Sequence, residues 1–208
     1  YLRVREGGSV EVTAPRRGSE REIRDFVAGK TAWLTKYMAL VPEKIKFQYV
    51  TGEIHHVFGR AYPLQVLLGP RDEAGISSGG ELQLVLRTKQ REREKVFKAG
   101  MKHLLLGEIE KQLEIWTKRM AIPESRITGV TIRVMKSRWG SCRRVTGRFS
   151  FALDLATKPK ECIEAVVVHE LCHRRQMNHS QAFWNEVSAV LPIKIGRAVQ
   201  QECRDRSR

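Results

Sequence analysis

The apolar positions change period several times along the chain. Val4, Val10 and Val12, with Gly7 and Gly8 between them, predict a short strand or hairpin that closes at Pro15. Ser19 followed by Glu22 has the spacing of a capping box. Ile23, Phe26, Val27, Leu34 and Met38 then keep near-helical spacing until Pro42, which predicts one helix over 19–41. Residues 43–90 break into short apolar runs that suit antiparallel strands. Residues 53–60 and 62–67 suggest a hairpin around Gly59, and after a turn at 75–80 Leu82, Leu84 and Leu86 alternate as a half-buried strand does. The longest helical stripe is Val96, Phe97, Leu104, Leu105, Ile109, Leu113 and Trp116; it predicts a helix over 91–121, ended by Pro123. Strands are expected at 128–135 and 147–155, around a turn-rich connection at 136–144. A helix follows over 160–177, opened by Pro159 and Glu161, and one or two short helices over 180–205, broken near Pro192. The fold class is α+β. A composition shift near residue 91 predicts two regions, a β-rich 1–90 with one helix and a more helical 91–208.

Composition narrows the picture. The chain has 208 residues, 41% apolar and 29% charged, in the ordinary range for a globular protein. No window approaches 18 consecutive apolar residues, which argues against a transmembrane helix. Cys142, Cys162, Cys172 and Cys203 form no CxxC pair and are too sparse for a disulfide framework. With no secretory signal in view, they are expected to be reduced thiols of a cytoplasmic protein.

Charge adds a partner class. Lys and Arg total 38 against 23 Asp and Glu, a formal net charge of +15, which favours polyanions: nucleic acid, an anionic membrane face or an acidic protein. The stretch 131–150 concentrates the effect, with Arg133, Lys136, Arg138, Arg143, Arg144 and Arg148 and no acidic residue. Trp139 and Phe149 lie among them. Cations interleaved with aromatic rings suit a phosphate backbone and stacked bases, so Arg138, Arg143 and Arg144 are candidate contacts to nucleic acid or substrate. A solvated basic loop is the plain alternative.

The candidate chemistry lies in His169-Glu170-Leu171-Cys172-His173. This is H-E-x-x-H. On a helix, positions i and i+4 share a face, so both imidazoles can reach one metal ion, with Glu170 placed to touch a metal-bound water. A hydrolytic zinc site takes three protein ligands and keeps one position open. His179 is the favoured third ligand, provided the helix stops just after 176 or 177 and the chain turns at Asn178, a residue that tolerates the left-handed conformation; Ser180 would cap the next helix. Glu186 and Glu202 are rival third ligands. Cys142 and Cys172 with His169 and His173 offer a different arrangement, a structural Cys₂His₂ zinc, which leaves Glu170 and His179 without a role.

These residues carry a resemblance. His169-Glu-Leu-Cys-His173, Asn178-His179-Ser180, Phe183-Trp184 and the upstream Arg138-Trp139-Gly140-Ser141-Cys142 resemble the YgjP-like metallopeptidase family. Weaker similarity runs through Gly52-Glu53-Ile54 and Phe58-Gly59-Arg60-Ala61-Tyr62. The resemblance implies a minimal zincin core with Zn2+ on His169, His173 and His179. It also implies that a peptide or protein substrate aligns along an edge strand, here expected to be 147–155. There is a looser similarity to SprT-like proteases, which act on DNA-bound proteins.

The expected activity is hydrolysis of peptide bonds by a metal-activated water with Glu170 as general base. The competing expectation is a nucleic-acid-binding protein with a structural or vestigial zinc site, or a protease recruited to DNA. All four tyrosines lie in the first third of the chain, so no tyrosine is assigned to the developing oxyanion.

Overall fold

The computed structural model describes residues 2–4, 10–15, 18–40, 46–88, 92–123 and 127–191. The chain divides into two compact units, 1–47 and 48–208. This differs from the division expected near residue 91. The strands of 48–90 pack on the long helix that follows them, so sheet and helix share one core.

In the first unit, β1 (Leu2–Val4) pairs antiparallel with β2 (Val10–Val12), the expected hairpin; its turn lies outside the described residues. The helix predicted over 19–41 is two, α1 (Glu20–Ala28) and α2 (Thr31–Leu40). The capping box is present: Glu22 N–H donates to the Ser19 hydroxyl, and Ser19 N–H to the Glu22 carboxylate. Gly29, a poor helix former, marks the break, and the Thr31 hydroxyl donates to the Ala28 carbonyl there. No described residue of this unit is buried.

The second unit opens with a four-stranded sheet: β3 (Ile54–Val57), β4 (Arg60–Leu68), β5 (Glu73–Ile76) and β6 (Leu82–Leu86), in the order β3-β4-β6-β5. The β3–β4 hairpin turns at Phe58 and Gly59, both at positive φ (49° and 80°), the pattern of a type I′ turn. Two expectations fail. The β4–β6 pairing is parallel, and Gly75 and Ile76 belong to a strand, the turn falling later at Ser77–Gly80. Glu73-Ala-Gly-Ile76 is too short to show a period, so only its pairing with β6 defines it.

Helix α3 (Arg93–Arg119) buries Phe97, Met101, Leu105, Ile109, Leu113 and Trp116, spaced three and four apart as the stripe predicted. A three-stranded sheet follows, β7 (Gly129–Arg133), β8 (Gly140–Arg143) and β9 (Arg148–Ala152), with β9 in the middle, parallel to β7 and antiparallel to β8. Two more expectations change here. The connection at 136–144 contains a strand, and β9 is internal rather than an edge; the edge strand that lines the cleft is β8.

Helix α4 (Lys160–Cys172) is the sheet's inner partner. Nine of its thirteen residues are buried, Ile163 and the unbroken run Ala165–Cys172. It ends earlier than the predicted 177, with His173 as its C-cap. The Leu171 and Cys172 carbonyls accept from Arg174, Arg175 and Gln176 N–H groups in a tight turn. Helix α5 (Gln181–Val190) starts at Ser180, whose hydroxyl accepts from Phe183 N–H as expected of an N-cap. The helical region expected beyond Pro192 lies outside the described residues.

Side-chain ties hold α4 in place. Lys160 Nζ donates to Glu108 Oε2 of α3 at 2.7 Å, and Trp116 Nε1 donates to Glu164 Oε1 at 3.1 Å. The β3–β4 turn docks ahead of the helix, where Phe58 N–H donates to the Ala156 carbonyl at 2.8 Å.

Candidate metal centre

His169 sits on the buried face of α4, and His173 lies one turn on, at the helix C-cap. The tight turn at 173–175 brings the chain back so that His179, just ahead of α5, faces them both. Arg175 fastens this return: its guanidinium donates to the Met120 carbonyl at the end of α3 and, at 2.9 Å, to Glu186 on α5. Glu186 is thereby engaged away from the histidines, and Glu202 lies outside the described residues. The His173 Nε2 and His179 Nε2 atoms lie 3.2 Å and 3.0 Å from His169 Nε2. Among the described residues, no cysteine or carboxylate joins this group.

This donor set fits a metal ion. Nitrogens at roughly 2.0–2.1 Å from a tetrahedral zinc lie about 3.3 Å apart, close to the spacings here. Two imidazole nitrogens converge on one nitrogen of a third ring, and that nitrogen offers either one N–H or one lone pair, so it cannot satisfy both contacts. His173 Nδ1 contacts the Gln176 carbonyl at 3.0 Å; donating there leaves its Nε2 lone pair facing the other rings. Burial, then the neighbouring His173 and His179, push His169 down to about 3. Burial lowers His173 and His179 as well. All three rings are thus held in the neutral form that binds metals.

Aromatic packing orients the rings. Phe183, fully buried on α5, has its ring centroid 4.9, 4.7 and 4.9 Å from those of His169, His173 and His179, and Trp184 stacks on His179 at 5.7 Å. The helical spacing of Phe183 marks it as core, and nothing in that spacing says which side chains it supports.

Glu170 is 4% exposed and packs against β8. A Cβ on Gly140 would stand 2.7 Å from Glu170 Oε1 and 2.8 Å from its Cγ. Gly140 has no positive φ among the described backbone angles, so it serves by leaving space. Cys142 N–H donates to the Glu170 carboxylate, while Oε2 is buried without a partner. Burial pushes Glu170 up to about 8, against the opposing pull of the Arg138 guanidinium and the Cys142 amide.

His169, Glu170, His173 and His179 open onto a cleft of about 460 Å³, walled opposite by residues 137–142 and so by Arg138. Among the described residues, no tyrosine lines it. Arg143 and Arg144 lie beyond the cleft, exposed at the far end of β8. Trp139 is 6% exposed and Phe149 is fully buried. Both rings therefore belong to the core and are not surfaces on which bases could stack. Cys142 and Cys172 stand apart from the histidine cluster, and burial followed by the Glu186 charge pushes the Cys172 thiol up to about 12.

A helix offering two histidines and a glutamate, a third histidine returned by a turn, and a strand walling the far side of a cleft together define a metallopeptidase-type site. The family model for the YgjP-like metallopeptidase domain matches residues 1–196, and the chain belongs to this family. Among solved structures, it is similar to the metallopeptidase zymogen abylysin of Pyrococcus abyssi, with 21% identity and a TM-score of 0.41 over 47% of this chain and 92% of that one. No curated protein matches the chain. Among the described residues, no helix is long and apolar enough to cross a membrane.

Proposed function

We propose that the protein is a zinc-dependent peptidase in which His169, His173 and His179 hold the metal and Glu170 is the general base. The observation that carries this reading is the meeting of three neutral imidazole nitrogens, in one cleft with a buried carboxylate whose Oε2 has no partner. A zinc ion held there supplies an acidified water and a polarised scissile carbonyl. Glu170 takes the proton from the attacking water at Oε2 and returns it to the leaving amine. The space left by Gly140 lets the carboxylate lie against β8 at the wall of the cleft. The raised pKa of Glu170 belongs to the metal-free cleft; a cation beside it favours the carboxylate form that a base requires. Phe183 and Trp184 close the back of the histidine cluster to water. The β8 edge lines the cleft, where an extended substrate can lie along it.

The test is elemental analysis and peptide hydrolysis on three proteins. The expected result is about one zinc per wild-type chain, little zinc in His179→Ala, and full zinc in Glu170→Gln with hydrolysis reduced by about 10²–10⁴. Zinc that does not depend on His179, or hydrolysis that survives Glu170→Gln, overturns the assignment. A stoichiometric zinc protein that cleaves no peptide would return weight to a structural metal.

A further inference from the structure

The three-stranded sheet has two chemically opposite faces. Paired residues share a face and alternate along each strand. Val130, Ile132, Gly140, Cys142, Phe149 and Phe151 form the inner face, toward α4. The outer face carries Thr131, Arg133, Ser141, Arg143, Arg148 and Ser150, without a carboxylate. Arg143 and Arg148 stand directly opposite each other across β8 and β9, both exposed, and no described carboxylate pairs with either. Like charges at facing positions repel, so this arrangement costs stability and gains a counter-ion only from outside the described chain. Ser141, two residues before Arg143 on the same face, already lines the cleft.

We propose that this face reads an acidic residue of an extended polypeptide substrate, its carboxylate held by Arg143, with the Arg148 charge reinforcing it from the neighbouring strand. The inference rests on the peptidase reading above and adds a substrate class to it. β8 has β9 on one side only, and its other side faces the cleft. A strand laid along β8 places alternate side chains on the outer face. One falls beside Ser141, and the next falls two residues on, about 6.7 Å away, beside Arg143. The acidic residue therefore occupies one defined position relative to the scissile bond. A polypeptide fits better than nucleic acid because the aromatic rings of this segment are buried and offer no surface on which a base could stack.

The experiment moves a single Glu through each position of an otherwise neutral fluorogenic peptide and measures kcat/KM with the zinc-loaded full chain. One position is expected to raise kcat/KM about tenfold over Gln. The double variant Arg143→Ala with Arg148→Ala brings that ratio close to one, and Arg143→Glu turns it toward Lys at the same position. Melting temperatures verify that the variants fold. A flat profile, or a Glu preference that survives in the double variant, overturns the proposal. So does a flat profile with single-stranded DNA binding that is lost in Arg143→Glu, which would make the face a nucleic-acid surface. Anisotropy with the same peptides on Glu170→Gln needs no turnover. A positional Glu preference in binding, lost in the arginine variants, supports this proposal even if the wild type cleaves none of the peptides, an outcome that would defeat only the peptidase reading.

Discussion

The two sheets of the second unit are built alike and used differently. In each, a central strand has one parallel and one antiparallel neighbour: β6 lies between β4 and β5, and β9 between β7 and β8. In each, a glycine lets the antiparallel edge strand and a helix approach closely. At the first sheet, Gly100 of α3 meets the backbone of β5; a Cβ there would be 2.0 Å from the Ala74 carbonyl oxygen. At the second, Gly140 of β8 meets the carboxyl end of Glu170 on α4. Backbone cannot step aside, whereas a side-chain tip can. The first glycine therefore serves the packing of the unit, and the second serves the placement of one reactive group.

The sharpest way to break this comparison is to add the same methyl group at both positions. Gly100→Ala is expected to destabilise the protein by about 3 kcal/mol or more, because β5 and α3 must separate. Chemical denaturation measures it, and a stability near wild type would show that the contact yields. Gly140→Ala is expected to keep most of the stability and the zinc content while lowering kcat about 100-fold, since a carboxylate displaced by about 1 Å loses its alignment. Parallel melting, metal analysis and kinetics read all three quantities. Lost folding together with lost activity would mean that Gly140 is structural, like Gly100.

A smaller effect tests how the second sheet's helix is held. Burial pushes the Glu108 carboxyl up, but hydrogen bonds from Lys160 and Gln112 and the Lys160 charge outweigh it, so the net shift is downward from 4.5. A lowered folded-state value means that the group stabilises the fold at pH above its unfolded value, and that this contribution is lost as pH falls below about 4.5 toward the folded value. Lys160 is half exposed, which limits the tie to about 1 kcal/mol. Lys160→Ala should cost that amount at pH 7 and progressively less below pH 4.5, as seen by denaturation at the two pH values. A cost that does not vary with pH would place the contribution in the lysine's packing rather than in the ion pair.

The sequence alone determined the α+β class, the span of α3, the capping box at Ser19, the hairpin at Gly59 and the spacing of the three histidines. Each of these depends on neighbours within a turn or two, or on a period repeated over many residues. Its errors also share a cause. β5 and β8 have four residues each, too few to display a period, and they exist because a neighbouring strand pairs with them. The parallel β4–β6 pairing joins residues 18 apart, and no local pattern encodes direction. Helix α4 ends early because the turn after it is held by Arg175 bridging to α3 and α5. Only the tertiary structure could decide that β8 rather than β9 is the edge along the cleft, that Gly140 gives up its side chain to make room for Glu170, and that Phe149 packs in the core. These are facts about which groups share one small volume, and the folded chain, not the order of residues along it, sets that volume.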